Sequence, residues 1–214
     1  MLRRWVRRLS VAGLAALALA VGAAGAADKA PGFRLDGFRS AKFGMTEAEV
    51  RAAIVKDFGA KPEAVKVQDY AAEKTRIIEV TVPDLLSGGG KADVTYTLGY
   101  KSHALIQVGV VWSAVIDATV TPATLTQNAD VLGHHFAAAG YKPDTVVQNA
   151  VLPDGSILIF RGADSDGHMT NLTLSGDTKT DKDGKKRMTP ATLMLHYIQD
   201  PKNPDTYRLS DGQF

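Results

Sequence analysis

The sequence predicts an α+β fold of two halves, each a helix followed by antiparallel strands, with both helices packed on one face of the sheet. Three observations predict it. Apolar residues recur about every four positions in two stretches. They alternate every two positions in the stretches that follow. That order occurs twice, with helix starts about 75 residues apart. Short turns between successive strands favour antiparallel meanders over long crossovers.

The chain opens with Arg3, Arg4, Arg7 and Arg8, an apolar run from Val11 to Val21, and small residues ending Ala24-Gly25-Ala26. That is the pattern of an export leader over 1–26, cleaved near Ala26, whose apolar run is short for a permanent membrane helix. The expected location of the mature chain is the periplasm. Residues 27–42 carry Pro31, two glycines and mixed charges, and read as a flexible lead-in.

The first half spans 43–116. In Phe43-Gly44-Met45-Thr46-Glu47-Ala48-Glu49-Val50 the Thr46 hydroxyl can accept from the Glu49 amide while the Glu49 carboxylate reaches back to the Thr46 amide. Met45 and Val50 form the accompanying hydrophobic staple. Val50, Ile54 and Phe58 then lie on one helix face, and Gly59 suits a left-handed stop. The period drops to two over 75–82, 92–100 and 104–112, which are rich in β-branched and aromatic residues. Val94, Tyr96 and Leu98 point one way and Thr95 and Thr97 the other, as a sheet with one buried and one wet face requires.

The second half, 117–200, repeats the order. Thr121-Pro122 supplies an N-cap with proline at the first helical position. Leu125, Ala129, Leu132, Phe136 and Ala139 follow at helical spacing up to Gly140. Strands are expected at 145–152, 156–161, 168–174 and 191–198, with turns at Pro153-Asp154-Gly155 and Asp164-Ser165-Asp166-Gly167. The charged stretch 176–188 reads as a mobile hairpin tip, and 201–214, with two prolines, as a flexible tail.

Charge and composition narrow the chemistry. The leader holds four of the 25 basic residues and none of the 23 acids, which leaves 21 against 23 and a net charge of −2 after cleavage. Neither nucleic acid nor an anionic membrane surface is an expected partner. The chain has no cysteine, which excludes disulfides, thiolate nucleophiles, zinc-thiolate sites and a lipoprotein anchor.

No reaction motif emerges. His134 and His135 are neighbours about 100° apart on a helix, unsuited to holding one metal together. His103, His168 and His196 have no carboxylate at metal-motif spacing. Asp164-Ser165-Asp166-Gly167 and Asp181-Lys182-Asp183-Gly184 have the alternating acids of a calcium loop. They lack its first and closing oxygen ligands, so hairpin turns explain them. Ser87-Gly88-Gly89-Gly90-Lys91 has neither the spacing nor the following helix of a phosphate loop. No catalytic, cofactor or metal residue is assigned, and no cofactor is expected. Tyr96, Tyr100 and Trp112, near the ends of adjacent strands, form the candidate interaction surface if their rings face outward; the other reading packs them in the core.

The run Phe43-Gly44-Met45-Thr46-Glu47-Ala48-Glu49-Val50 through Phe58-Gly59 resembles the Gly-Met-Thr/Ser-x-x-x-Val opening of small exported α/β modules. The SmpA/OmlA (BamE-like) outer-membrane assembly lipoproteins are the best known of these modules, and the β-lactamase inhibitor protein, with its tandem α/β repeats, has a similar layout. The resemblance implies a module used for protein contact rather than catalysis. Sequence reading therefore expects an exported, non-catalytic binding protein of the cell envelope, with another envelope protein or a small ligand as partner. The alternative is a metal- or carboxylate-dependent periplasmic hydrolase.

Overall fold

In the computed structural model, which describes residues 33–209 except 185 together with Gly212, the first helix begins as its capping sequence dictates. Thr46 caps α1 (Glu47–Phe58): its hydroxyl accepts from the Glu49 amide at 3.4 Å while the Glu49 carboxylate accepts from the Thr46 amide at 2.8 Å. Gly59 closes the helix in the left-handed conformation, φ 62°. Thr46→Ala is expected to cost about 1 kcal/mol, a fall of about 3 °C in thermal midpoint for a chain of this size. An unchanged midpoint would show that the cap contributes nothing.

A 3-10 turn, Pro62–Ala64, leads into β3 (Lys66–Tyr70), β4 (Thr75–Val82), β5 (Ala92–Leu98) and β6 (Leu105–Ser113). Then come α2 (Pro122–Ala137), a 3-10 turn at Pro143–Thr145, β7 (Val147–Val151), β8 (Ile157–Ala163), β9 (Met169–Thr180) and β10 (Lys186–Ile198). A two-stranded hairpin, β1 (Gly37–Phe38) with β2 (Ala41–Lys42), precedes them. The eight longer strands form one antiparallel sheet in the order β3-β4-β5-β6-β10-β9-β8-β7. The described residues are thus mixed α/β, with two α-helices and one large antiparallel sheet.

Antiparallel partners share a sheet face, so the register sorts the side chains. One face carries the rows Ile78, Tyr96, Val108, Tyr197 and Val80, Val94, Val110, Leu195, Leu172, Phe160. Most of these residues lie in one buried cluster, together with Val50, Ala53 and Ile54 of α1 and Leu125, Ala129, Leu132 and Phe136 of α2. The other face carries Gln68, Ile77, Thr97, Gln107, Ile198 and Met169 in one row and Glu79, Thr95, Gly109, His196 and Asn171 in the next.

Several expectations are corrected. Residues 33–42 are not a loose lead-in: Phe33 packs on Tyr141 with ring centroids 4.4 Å apart, Leu35 is buried, and Phe38 stacks on Tyr197 at 5.5 Å. Gly37, at φ 145°, lies so close to the Ala41 carbonyl that a Cβ would stand 2.1 Å from that oxygen. Residues 201–209 also fold back onto the body, through Asp205 and Tyr207. Strand β3 was not expected, because Lys66-Val67-Gln68-Asp69-Tyr70 is an edge strand exposed throughout and carries no alternation. The charged stretch 176–188 is mostly ladder: β9 and β10 run on as a paired ribbon to a tip at 181–184, with a bulge between Pro190 and Thr192. Helix α2 ends at Ala137, before Gly140, and Thr124 completes a capping box with Thr121.

The expected leader and the first part of the lead-in, 27–32, lie outside the described residues. Among the described residues no helix is long and apolar enough to cross a membrane.

Candidate functional site

The sheet face that carries Gln68, Ile77, Thr97, Gln107 and Ile198 is the floor of a cleft of about 790 Å³. One residue comes from each of β3, β4, β5, β6 and β10, adjacent in the register. The strands alternate, so the residues that bury the core on one face automatically deliver this mixed row to the other. Two irregular segments form the walls: 199–206, which follows β10, and Asp166-Gly167-His168, the turn between β8 and β9.

Asp205 holds the first wall. Its carboxylate accepts from the Lys101 amide at 3.0 Å and the Ser102 amide at 2.8 Å, and its carbonyl accepts from the Tyr100 amide at 2.8 Å. The Tyr207 amide donates to the Glu73 carbonyl at 2.8 Å, and Lys74 Nζ lies 3.7 Å from the Tyr207 ring centroid. Burial pushes the Asp205 carboxyl up, but the hydrogen bonds from Ser102 and Lys101 outweigh it and hold it below the usual carboxylate range. A carboxyl lowered on folding contributes stability above its unfolded value of about 3.9 and loses it as pH falls through the folded value. Protection factors against hydrogen exchange at 100–102 and 205–207 are therefore expected to fall as the pH drops below about 4, and Asp205→Asn to show the lowered protection already at pH 7. Protection unaltered by acid and by the substitution would overturn this.

The second wall is built on Asp164, which is buried. Its carboxylate accepts from the Leu35 amide at 2.8 Å and from the Asp166 and His168 amides, each at 2.9 Å. His168 Nδ1 lies 2.6 Å from the Leu35 carbonyl, which can only accept, so Nδ1 carries the proton. Asp164 and His168 thus clamp Leu35 through both its amide and its carbonyl. Asp164, Asp166 and His168 offer ligand atoms within 4.8 Å of one another, the spacing of a metal site. The carboxylates do not fit one: Asp164 already accepts from three amides, and Asp166 pairs with Arg34 at 3.1 Å. The turn is a latch for the chain entering the domain.

The sequence-selected aromatics fall elsewhere. Tyr96 and Trp112 are 0% and 1% exposed, inside the core cluster, so neither presents a ring to a partner. Both sit in the inward set of their strands, where burial pushes the Tyr96 hydroxyl well up. Tyr100, in the turn after β5, is half-buried against Tyr207 with centroids 5.7 Å apart. The three do not come together on one surface. His134 bonds the Asp130 carbonyl of its own helix at 2.7 Å, and His135 lies edge-on to Phe136. His103 occupies a turn with φ 52°. His196 lies beside Gly109 on the cleft-bearing face, and burial pushes its imidazole down, toward the neutral form.

Sequence reasoning missed Gln68, Tyr70, Thr75, Gln107 and the 199–206 wall. The alternation that turns Thr95 and Thr97 outward is the one sequence signal that points to this face. No protein family, curated protein or solved structure matches this chain.

Proposed function

We propose that the protein is a non-catalytic binding module of the cell envelope, exported by its leader, whose cleft on the second sheet face receives the partner. The observation that carries this reading is the cleft itself: about 790 Å³, inside the range of small-ligand sites, with a floor of fixed strand residues and a wall tied down by Asp205. The resemblance of 43–59 to exported contact modules agrees with it.

The fold underlying this reading is two like halves with both helices on one face. In support, helix, 3-10 turn and four antiparallel strands occur in that order twice, both helices carry capping boxes, and both 3-10 turns start at proline. The last strand of each series, β6 and β10, pair at the centre of the sheet. Both helices contribute to one buried cluster, which leaves the other face for a ligand.

The test uses the chain from residue 27. Filling the floor with Thr97→Trp is expected to abolish partner capture from an envelope extract, while Val131→Ala, on the exposed side of α2, leaves it intact. Capture that survives Thr97→Trp would overturn the cleft as the binding site. A second reading, a metal-assisted hydrolase, has only the proximity of Asp164, Asp166 and His168 behind it, and the bonds already made by the two carboxylates count against it. Turnover of ester, phosphate, glycoside or peptide substrates with added zinc or manganese, lost in His168→Ala, would replace the binding reading; no turnover is expected.

A further inference from the structure

We propose that the cleft recognises a neutral, hydroxyl-rich ligand of saccharide class, about the size of a disaccharide, an inference that rests on the binding-module reading. The first argument is the donor set. Gln68, Gln107, Gln199 and Asn203 line the cleft, and among the described residues none of these carboxamides has a hydrogen-bond partner within the chain. A carboxamide presents an acceptor and a donor side by side, which matches vicinal hydroxyls that each donate and accept.

The second argument is Thr75, which lines the same cleft, is 2% exposed, and has a buried Oγ1 with no partner. A buried hydroxyl left unpaired costs stability, and a ligand hydroxyl reaching it would remove that cost. Beside it, Tyr70 is 49% exposed on the edge strand, an open aromatic ring of the kind on which the C–H face of a sugar ring can stack.

Charge excludes anions. Glu73, Asp166, Asp200 and Asp205 stand around the cleft against Lys202 and His168, so a phosphate or carboxylate ligand would meet net repulsion. The acids do not create a cation site either: Asp205 and Asp200 are occupied by backbone amides, and Asp166 by Arg34. The floor excludes a peptide read through its backbone. Strands β4, β5 and β6 have neighbours on both sides, so their amides and carbonyls are engaged in ladders and only side chains face the cleft.

The experiment titrates the isotopically labelled chain from residue 27 with cellobiose, maltose and diacetylchitobiose, and with tetra-alanine and inorganic phosphate as contrasts. Amide and side-chain shifts are expected for at least one disaccharide at Gln68, Thr75, Gln107 and Gln199, and for neither contrast. Gln107→Leu and Tyr70→Ala should each weaken that disaccharide about tenfold, and Tyr70→Phe should restore stacking. Thr75→Val should weaken it too while leaving the thermal midpoint equal or higher, a combination that a structural role for the hydroxyl would not give.

Shifts with tetra-alanine or phosphate but with no disaccharide would overturn the ligand class. If partner capture remained sensitive to Thr97→Trp in that case, the binding module would stand without its saccharide. Saccharide shifts confined to residues outside the cleft would also overturn the proposal.

Discussion

Asp164→Ala is expected to destabilise the protein by about 3 kcal/mol, because it removes the acceptor of three backbone amides at a buried position. Those amides belong to Leu35, Asp166 and His168, and alanine offers none of them a partner. The expected fall in thermal midpoint is about 9 °C for a chain of this size. The loss should also have a place. The Leu35 amide and carbonyl both bond to this turn, so residues 33–42, left with their ring contacts, should become more sensitive to protease at native temperatures. Asp166→Ala removes an exposed carboxylate paired with exposed Arg34 and should change the midpoint by less than about 1 °C. Asp164→Asn separates charge from geometry: its amide nitrogen can donate but not accept, so one backbone amide stays unpaired and the variant should fall between the two. A midpoint within 1 °C of the parent for Asp164→Ala would show that water replaces the carboxylate and that the latch contributes nothing.

The latch also shows what a sequence conceals. Thr46-x-x-Glu49 carries its whole meaning within four residues, and α1 is legible to its last residue because cap, staple and Gly59 are all local. Strand β4 is legible over its full length because its alternation of buried and exposed side chains is nearly unbroken. Asp164 looks like an ordinary turn aspartate; only its contact with Leu35, 129 positions away, turns it into an anchor. Asp205 likewise reads as part of a polar tail until it meets the Lys101 and Ser102 amides, 104 and 103 residues distant. The cleft was the least legible feature. Its floor takes one side chain from each of five strands, and neither Gln68 nor Gln107 is remarkable within its own strand. Tyr96 and Trp112 mark the opposite limit: strand alternation placed Tyr96 with Val94 and Leu98, and that local signal, followed alone, leads to the core where the ring lies.

Phe136→Ala is expected to be the most damaging of these substitutions, costing about 4 kcal/mol through lost burial and the cavity left behind. The ring is almost fully buried near the end of α2, with centroids 5.6 Å from Phe160, 6.1 Å from Tyr197 and 6.5 Å from Tyr141. None of these neighbours can move into the space cheaply. Phe160 and Tyr197 are fixed in the sheet, and Tyr141 is tied to Thr170 through its hydroxyl. A fall of about 12 °C in midpoint is expected, against about none for Val131→Ala on the exposed side of the same helix. Phe136→Leu keeps much of the volume and should cost less than about 1.5 kcal/mol. Tyr141 and Tyr197 also carry the rings of Phe33 and Phe38, so the cavity reaches the same segment that Asp164 holds from the other side. The two sites should therefore couple: once Phe136→Ala has loosened 33–42, Asp164→Ala has less left to release. The double variant is expected to lose at least about 0.5 kcal/mol less than the two single losses combined. Strict additivity would mean that the latch and the aromatic cluster stabilise separate parts of the molecule.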